Sequence, residues 1–144
     1  MNRIVTAVLI WSVAVASLHA AGLQNGKLAP CPESPNCVCS EGQGKHFIPP
    51  FKLEVAPEKA WAVLEQVLGE TPRVKVVTRT DRYLHAEFTS AMLHFVDDVE
   101  LDLRPEAGII AVRSASRVGY YDFGANRNRV EKLREQLRGR GVIE

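Results

Sequence analysis

The chain predicts an α+β fold: an antiparallel sheet of about five strands with two helices packed on one face, in the order β-α-β-β-β-β-α. Three observations predict it. Two segments, around 57–69 and 126–138, carry apolar residues at helical spacing. Four runs between them, 74–78, 83–90, 97–103 and 109–116, have the residue content of strands. Short polar turns separate those runs, so neighbours in sequence pair as antiparallel hairpins. There is no internal repeat.

The N-terminus reads as an export segment. Arg3 supplies a short positive start, and residues 4–18 form an apolar run interrupted only by Thr6, Ser12 and Ser17. Ala14-Val15-Ala16 and Leu18-His19-Ala20 both suit a signal peptidase. Cleavage near Ala20 is the expected outcome, which makes 1–20 a signal peptide and the product periplasmic or secreted. The run is shorter than the roughly 18 residues of a spanning helix, and membrane contact is expected only if the segment stays uncleaved. A lipid anchor does not suit the sequence, because Cys31 follows Pro30 rather than a small residue and Gln24-Asn25-Gly26-Lys27 separates it from the apolar run. Loss of Arg3 takes the 18 Lys+Arg to 17, equal to the 17 Asp+Glu. That balance argues against a nucleic-acid partner, which requires a strong basic field. The basic C-terminal stretch, with Arg127, Arg129, Lys132, Arg134, Arg138 and Arg140, reads as the solvated face of a helix.

Residues 21–45 follow as an extended arm rich in Gly, Pro, Ser and Asn. Cys31, Cys37 and Cys39 all fall within nine residues of it. In an oxidising compartment one disulfide and one leftover thiol are the default. Cys37-x-Cys39 would close a strained ring, and Cys31 with Cys37 around Pro32 and Pro35 is easier to build. A thiolate metal site with His46 as fourth ligand is the sharper alternative, although Cys-x5-Cys-x-Cys is not a standard zinc spacing.

The domain proper spans 46–144. Pro49-Pro50 precedes Phe51, Leu53 and Val55, which alternate with polar neighbours as a first strand. Pro57 occupies a typical first helical position with Glu58 beside it. Trp61, Leu64 and Leu68 then recur at helical spacing, Val67 widens the stripe, and Gly69 is expected to end the helix. The closing helix, about 126–138, gathers Val130, Leu133 and Leu137 on one side.

The hairpin over 97–116 permits a register argument. If 105–108 is a four-residue turn, Arg104 faces Ile109, Asp102 faces Ala111, Glu100 faces Arg113 and Asp98 faces Ala115. One side then carries Asp98, Glu100, Asp102, Arg113 and Arg117, and the other Val99, Leu101, Leu103, Ile110, Val112, Ser114 and Ser116. A one-residue change of turn would place acids beside Val112, so the clean segregation supports this register. Leu84, Ala86 and Phe88 join the apolar side, and Tyr83, His85, Glu87 and Thr89 the polar one. The run 74–78 is ambiguous, since Lys75 and Val77 share a face.

This register sets the candidate chemistry. Asp98, Glu100 and Arg113 are candidates for structural ion pairs, the Glu100–Arg113 pair contributing about 0.2–1 kcal/mol if exposed. Arg117 stands about 13 Å from Arg113 along the strand, too far for both to clamp one small anion. Near the handover to the last helix, Arg113, Arg117, Asp122, Asn126 and Arg127 are the candidate ligand-binding residues. Arg117 with Arg127 and free helical N–H groups would suit a carboxylate or phosphate. The alternative is that Arg117 pairs with Asp97, Asp98 or Asp122 and fastens the turn. Ser114 and Ser116 point away from His85 and Glu87, which argues against a hydrolase triad. His85 with Glu87 or Glu100 could act as acid and base if the polar face were concave; a surface histidine flanked by carboxylates is the plainer description. His94 lies in a loop without metal-ligand spacing. There is no P-loop or dinucleotide fingerprint, so no cofactor is implied, and Gly119 and Gly124 read as turn residues.

Several of these residues form an ordered set of motifs. Pro30-Cys31-Pro32 with Ser34-Pro35-Asn36-Cys37-Val38, then Phe95-Val96-Asp97-Asp98-Val99-Glu100, then Arg113-Ser114-Ala115-Ser116-Arg117-Val118-Gly119 with Asp122, Gly124, Asn126 and Arg127, resemble the domain of unknown function 1499 family. The resemblance covers roughly 28–138 and implies a small exported or membrane-associated domain, with no reaction to carry over. Cys39 stands where that family more often has a small hydroxyl residue. The expected function is therefore a non-catalytic binding or accessory domain of the cell envelope, recognising a small anionic ligand or a protein partner near Arg117 and Arg127. A hydrolase-like enzyme built on His85 is the alternative.

Overall fold

In a computed structural model, which describes residues 21–144, the expected α+β layers are present. The expected export segment, 1–20, lies outside the described residues. Two short strands, β1 (Leu23–Gln24) and β2 (Lys27–Leu28), form a small hairpin. They are followed by β3 (Cys37–Cys39), β4 (Phe51–Lys52), α1 (Pro57–Glu70), β5 (Val74–Arg79), β6 (Tyr83–Thr89), β7 (Val96–Arg104), β8 (Ile109–Ser116) and α2 (Ala125–Gly139). The main sheet is antiparallel and six-stranded, in the order β3-β8-β7-β6-β5, with β4 also on β8. β3 pairs with the far half of β8 and β4 with its near half, so the two lie end to end along one edge. The sixth strand therefore comes from the cysteine arm, where Cys37, Val38 and Cys39 are buried against β8.

The hairpin register is the predicted one, with Arg104 opposite Ile109, Glu100 opposite Arg113 and Asp98 opposite Ala115. Its apolar side meets both helices: Trp61, Leu64, Val67 and Leu68 of α1 and Val130, Leu133 and Leu137 of α2 pack on Leu84, Val99, Leu101, Ile110 and Val112. Arg134 lies over the Phe51 ring at 4.7 Å and donates to the Pro49 and Pro50 carbonyls, fastening β4 to α2. The ambiguity of 74–78 has a physical cause. β5 bulges between Val76 and Thr78, which changes the facing of its side chains and leaves Val76 and Val77 exposed.

Two local expectations change. Gly69 lies inside the last turn of α1; the helix ends one residue later, because Thr71 precedes Pro72 and takes an extended conformation, its hydroxyl donating to the Val67 carbonyl at 2.6 Å. The polar side of the sheet is also not open. The arm runs over it, with Leu28, Cys39 and Ala111 packed together and Cys31 and Tyr83 against them. Helices cover one face and the arm part of the other.

Candidate functional site

The charged face is a set of closed networks. Glu100 and Arg113 are both buried and meet at 3.0 Å, not as the exposed pair considered from sequence. Glu100 also accepts from the Tyr83 hydroxyl at 2.7 Å and from the backbone N–H of Gly22 at 2.6 Å, so the arm is latched onto the middle of the sheet. Burial and the bond to Glu100 raise the Tyr83 phenol far above its ordinary range. Arg104 joins the sheet to the arm by reaching Asp102 at 2.9 Å and Glu41 at 2.8 Å. Cys31 and Cys37 form the disulfide. Cys39 is left free and buried, its thiol pKa raised chiefly by desolvation, and it fills space as a small apolar residue. His46 contacts the Cys37 carbonyl through Nδ1 at 2.9 Å.

His85 is buried rather than a surface residue, with Asp98 and, on that carboxylate, Arg117 beside it. Its Nε2 meets Asp98 at 2.6 Å, and its nearest carboxylate is neither Glu87 nor Glu100. Arg117 grips the same Asp98 through two nitrogens at 2.8 and 2.7 Å and reaches Glu87 at 2.6 Å. Burial alone would raise the Asp98 pKa, but the bonds from Arg117 and His85 outweigh it and hold the carboxyl well below the usual range. The same contacts, to Asp98 first and then Glu87, push the Arg117 guanidinium pKa upward.

The handover from β8 to α2 is stitched by amides. Asn126 is fully buried; its carbonyl oxygen accepts from Ser114 at 2.7 Å and from Arg129 at 2.8 Å. Its amide donates to the Asn36 carbonyl, the Ser116 hydroxyl and Asp122. Asn36 in turn donates to the Gly119 carbonyl at 2.6 Å. Asp122 accepts from the backbone N–H groups of Gly124 and Asn126, both at 2.9 Å, and so caps α2. Burial pulls its pKa upward, and these bonds bring it below the ordinary value. Arg129 pairs with Asp97. Arg127 binds the Lys45 and Phe47 carbonyls at 3.0 and 2.9 Å. The five predicted ligand-site residues are thus distributed: Arg113 lies under the arm, Arg117 binds β6 and β7, Asp122 and Asn126 build the joint, and Arg127 anchors the segment after β3.

What this joint holds up was not singled out from sequence. The loop between β8 and α2 exposes Val118, Tyr120, Tyr121 and Phe123, and the β6–β7 turn exposes Met92, Leu93 and Phe95. Thr89 opposite Val96, and the Arg117 N–H on the Val96 carbonyl, put both loops at the same end of the sheet. Phe123 is 96% exposed and Met92 88%. Phe123 holds φ at 53°, a left-handed conformation unfavourable for a side chain of its size, and it is exposed. The sequence does show four large apolar residues between Arg117 and Gly124, broken by Gly119 and Asp122, but not which way they point.

A family model described as "Protein of unknown function (DUF1499)" matches residues 27–137. Neither the curated proteins nor the solved structures contain a match to the chain.

Proposed function

The chain belongs to the DUF1499 family of proteins of unknown function, and on that premise we propose that it is an exported, non-catalytic docking domain whose contact surface is the apolar end of the sheet beside Arg117. One observation carries the reading. Seven large apolar side chains stand on two loops at one end, in a chain that keeps Glu100, Arg113, Asp97 and Asp102 buried. Exposed large apolar side chains gathered at one end in this way mark an interaction site. The loop base supports it: Asn126, Asn36 and Asp122 are bonded so as to hold the aromatic loop at a fixed angle. Arg117 acts here as a brace, tied to Asp98 and Glu87. The same pairing supports a structural role for His85 over acid–base work. Export is supported by the N-terminal apolar run and by the Cys31–Cys37 disulfide.

The test is oxidative footprinting in place. Cells producing the full chain are exposed to hydroxyl radicals, and labelling of Met92, Tyr120, Tyr121 and Phe123 is compared with that of purified protein. A docking surface is shielded in cells and labelled freely in isolation. Equal labelling in both overturns the reading.

A further inference from the structure

The docking reading says where contact is made, and a second feature of the same end says with what. Beside the bases of the two apolar loops, between the α1–β5 connection, the end of β6 and α2, lies an open groove of about 280 Å³, with Ser90 and Ala125 at its edge. Arg73, Arg129 and Lys132 line it, with Asn128 and Thr89 adding polar groups, and no carboxylate does. Arg129 is paired with Asp97 and lies 5.3 Å over the Phe88 ring, which makes it a fixed wall of the groove, while Arg73 and Lys132 are exposed at its margin and supply the available positive charge. The loops themselves contain a single carboxylate, Asp122, engaged with the start of α2.

We propose that this end of the molecule seats on an anionic lipid surface, the apolar tips entering the interfacial layer and the cationic groove receiving headgroup phosphate. The inference rests on the docking reading above. Three properties select a bilayer over a protein. Phe123 and Met92 stand almost fully exposed on the two loops, with the other apolar side chains about half or more exposed around them, as suits insertion of tips into a soft layer. The set of Tyr, Phe, Leu and Met is one that partitions into the interfacial layer, tyrosine hydroxyls remaining at headgroup level. Arg73 and Lys132 stand exposed beside those tips, and combining shallow apolar insertion with basic residues is how peripheral domains hold to anionic membranes. The sequence tied membrane contact to the N-terminal segment alone; this surface is a second and independent one.

A photo-reactive benzophenone side chain placed at Phe123 of the full chain tests both levels. Asp81, in the β5–β6 turn at the opposite end of the sheet, carries the same group as a control for tethering by the N-terminal segment. With vesicles of phosphatidylcholine containing phosphatidylglycerol, position 123 is expected to form lipid adducts and position 81 to form few. Adducts at 123 should fall by about tenfold when phosphatidylglycerol is omitted, or when Arg73→Glu and Lys132→Glu are combined. Equal lipid adducts at 123 and 81 overturn the lipid inference, because tethering then explains both. In cells, protein adducts without lipid adducts at 123 also overturn it, while leaving the docking reading intact. No adduct of either kind at 123 sinks both.

Discussion

The arm-covered face of the sheet and its loop-bearing end invert the usual placement of residues. Beneath the arm, Glu100, Arg113 and Asp102 are buried; at the end, Tyr120, Tyr121, Phe123, Met92 and Leu93 face solvent. The first region is stable because nearly every charge meets an opposite charge or a hydrogen-bond donor, the Arg113 Nε and Arg104 Nη2 atoms being exceptions among the described residues. The second region has no such internal satisfaction. Its side chains contribute little to folding, yet the backbone below them is braced by Asn126 and Asp122. Buried charge here builds the scaffold, and exposed apolar surface is what the scaffold presents.

The sharpest way to break the comparison is to remove one half of the buried pair. Glu100→Ala leaves Arg113 uncompensated and frees the Tyr83 and Gly22 bonds, so a loss of about 3–5 kcal/mol is expected in urea unfolding. Replacing both members, Glu100→Leu with Arg113→Met, should restore part of it, since no lone charge remains buried although the Tyr83 hydroxyl and Gly22 N–H still lose their acceptor. A single mutant that costs less than about 1 kcal/mol would mean the face is solvated after all.

A smaller effect comes from releasing the arm. Cys31→Ser with Cys37→Ser removes a short covalent loop, and chain-entropy reasoning gives a loss of about 2–3 kcal/mol. Unfolding under reducing conditions measures the same quantity in the unmodified chain. An unchanged midpoint would show that β3 stays on β8 through its hydrogen bonds alone.

The Asp98 brace sharpens the comparison through pH. Its carboxyl titrates lower in the folded chain than the roughly 3.9 of an unfolded aspartate. The unfolded state therefore takes up protons first on acidification, and the stabilisation is present above that value and lost as pH falls below it. Asp98→Asn should flatten the acid side of the melting curve between about pH 2.5 and pH 5. Parallel curves for the two proteins would move the acid sensitivity to another carboxylate.

Much of this architecture was legible from residues. Val99, Leu101 and Leu103 alternating with Asp98, Glu100 and Asp102 exclude a one-residue slip and support the turn at 105–108, and the structure has that register. Pro57 and the Trp61, Leu64 and Leu68 stripe likewise mark α1. Two features were not legible. β3 is three residues long, too short for any period, and its partner is far along the chain. The aromatic loop contains glycines that read only as turn residues, and nothing local says whether the intervening side chains fold back or stand out.

By itself the sequence determined which residues alternate, which recur at helical spacing and which cysteines are close enough to bond, because those depend on neighbours a few positions away. Only the tertiary structure decided that Glu100 and Arg113 lie under the arm, that Arg117 closes onto Asp98, and that two loops and a cationic groove share one end of the sheet. Burial and convergence are properties of segments distant in the chain, and short-range pattern carries no record of which of them will meet.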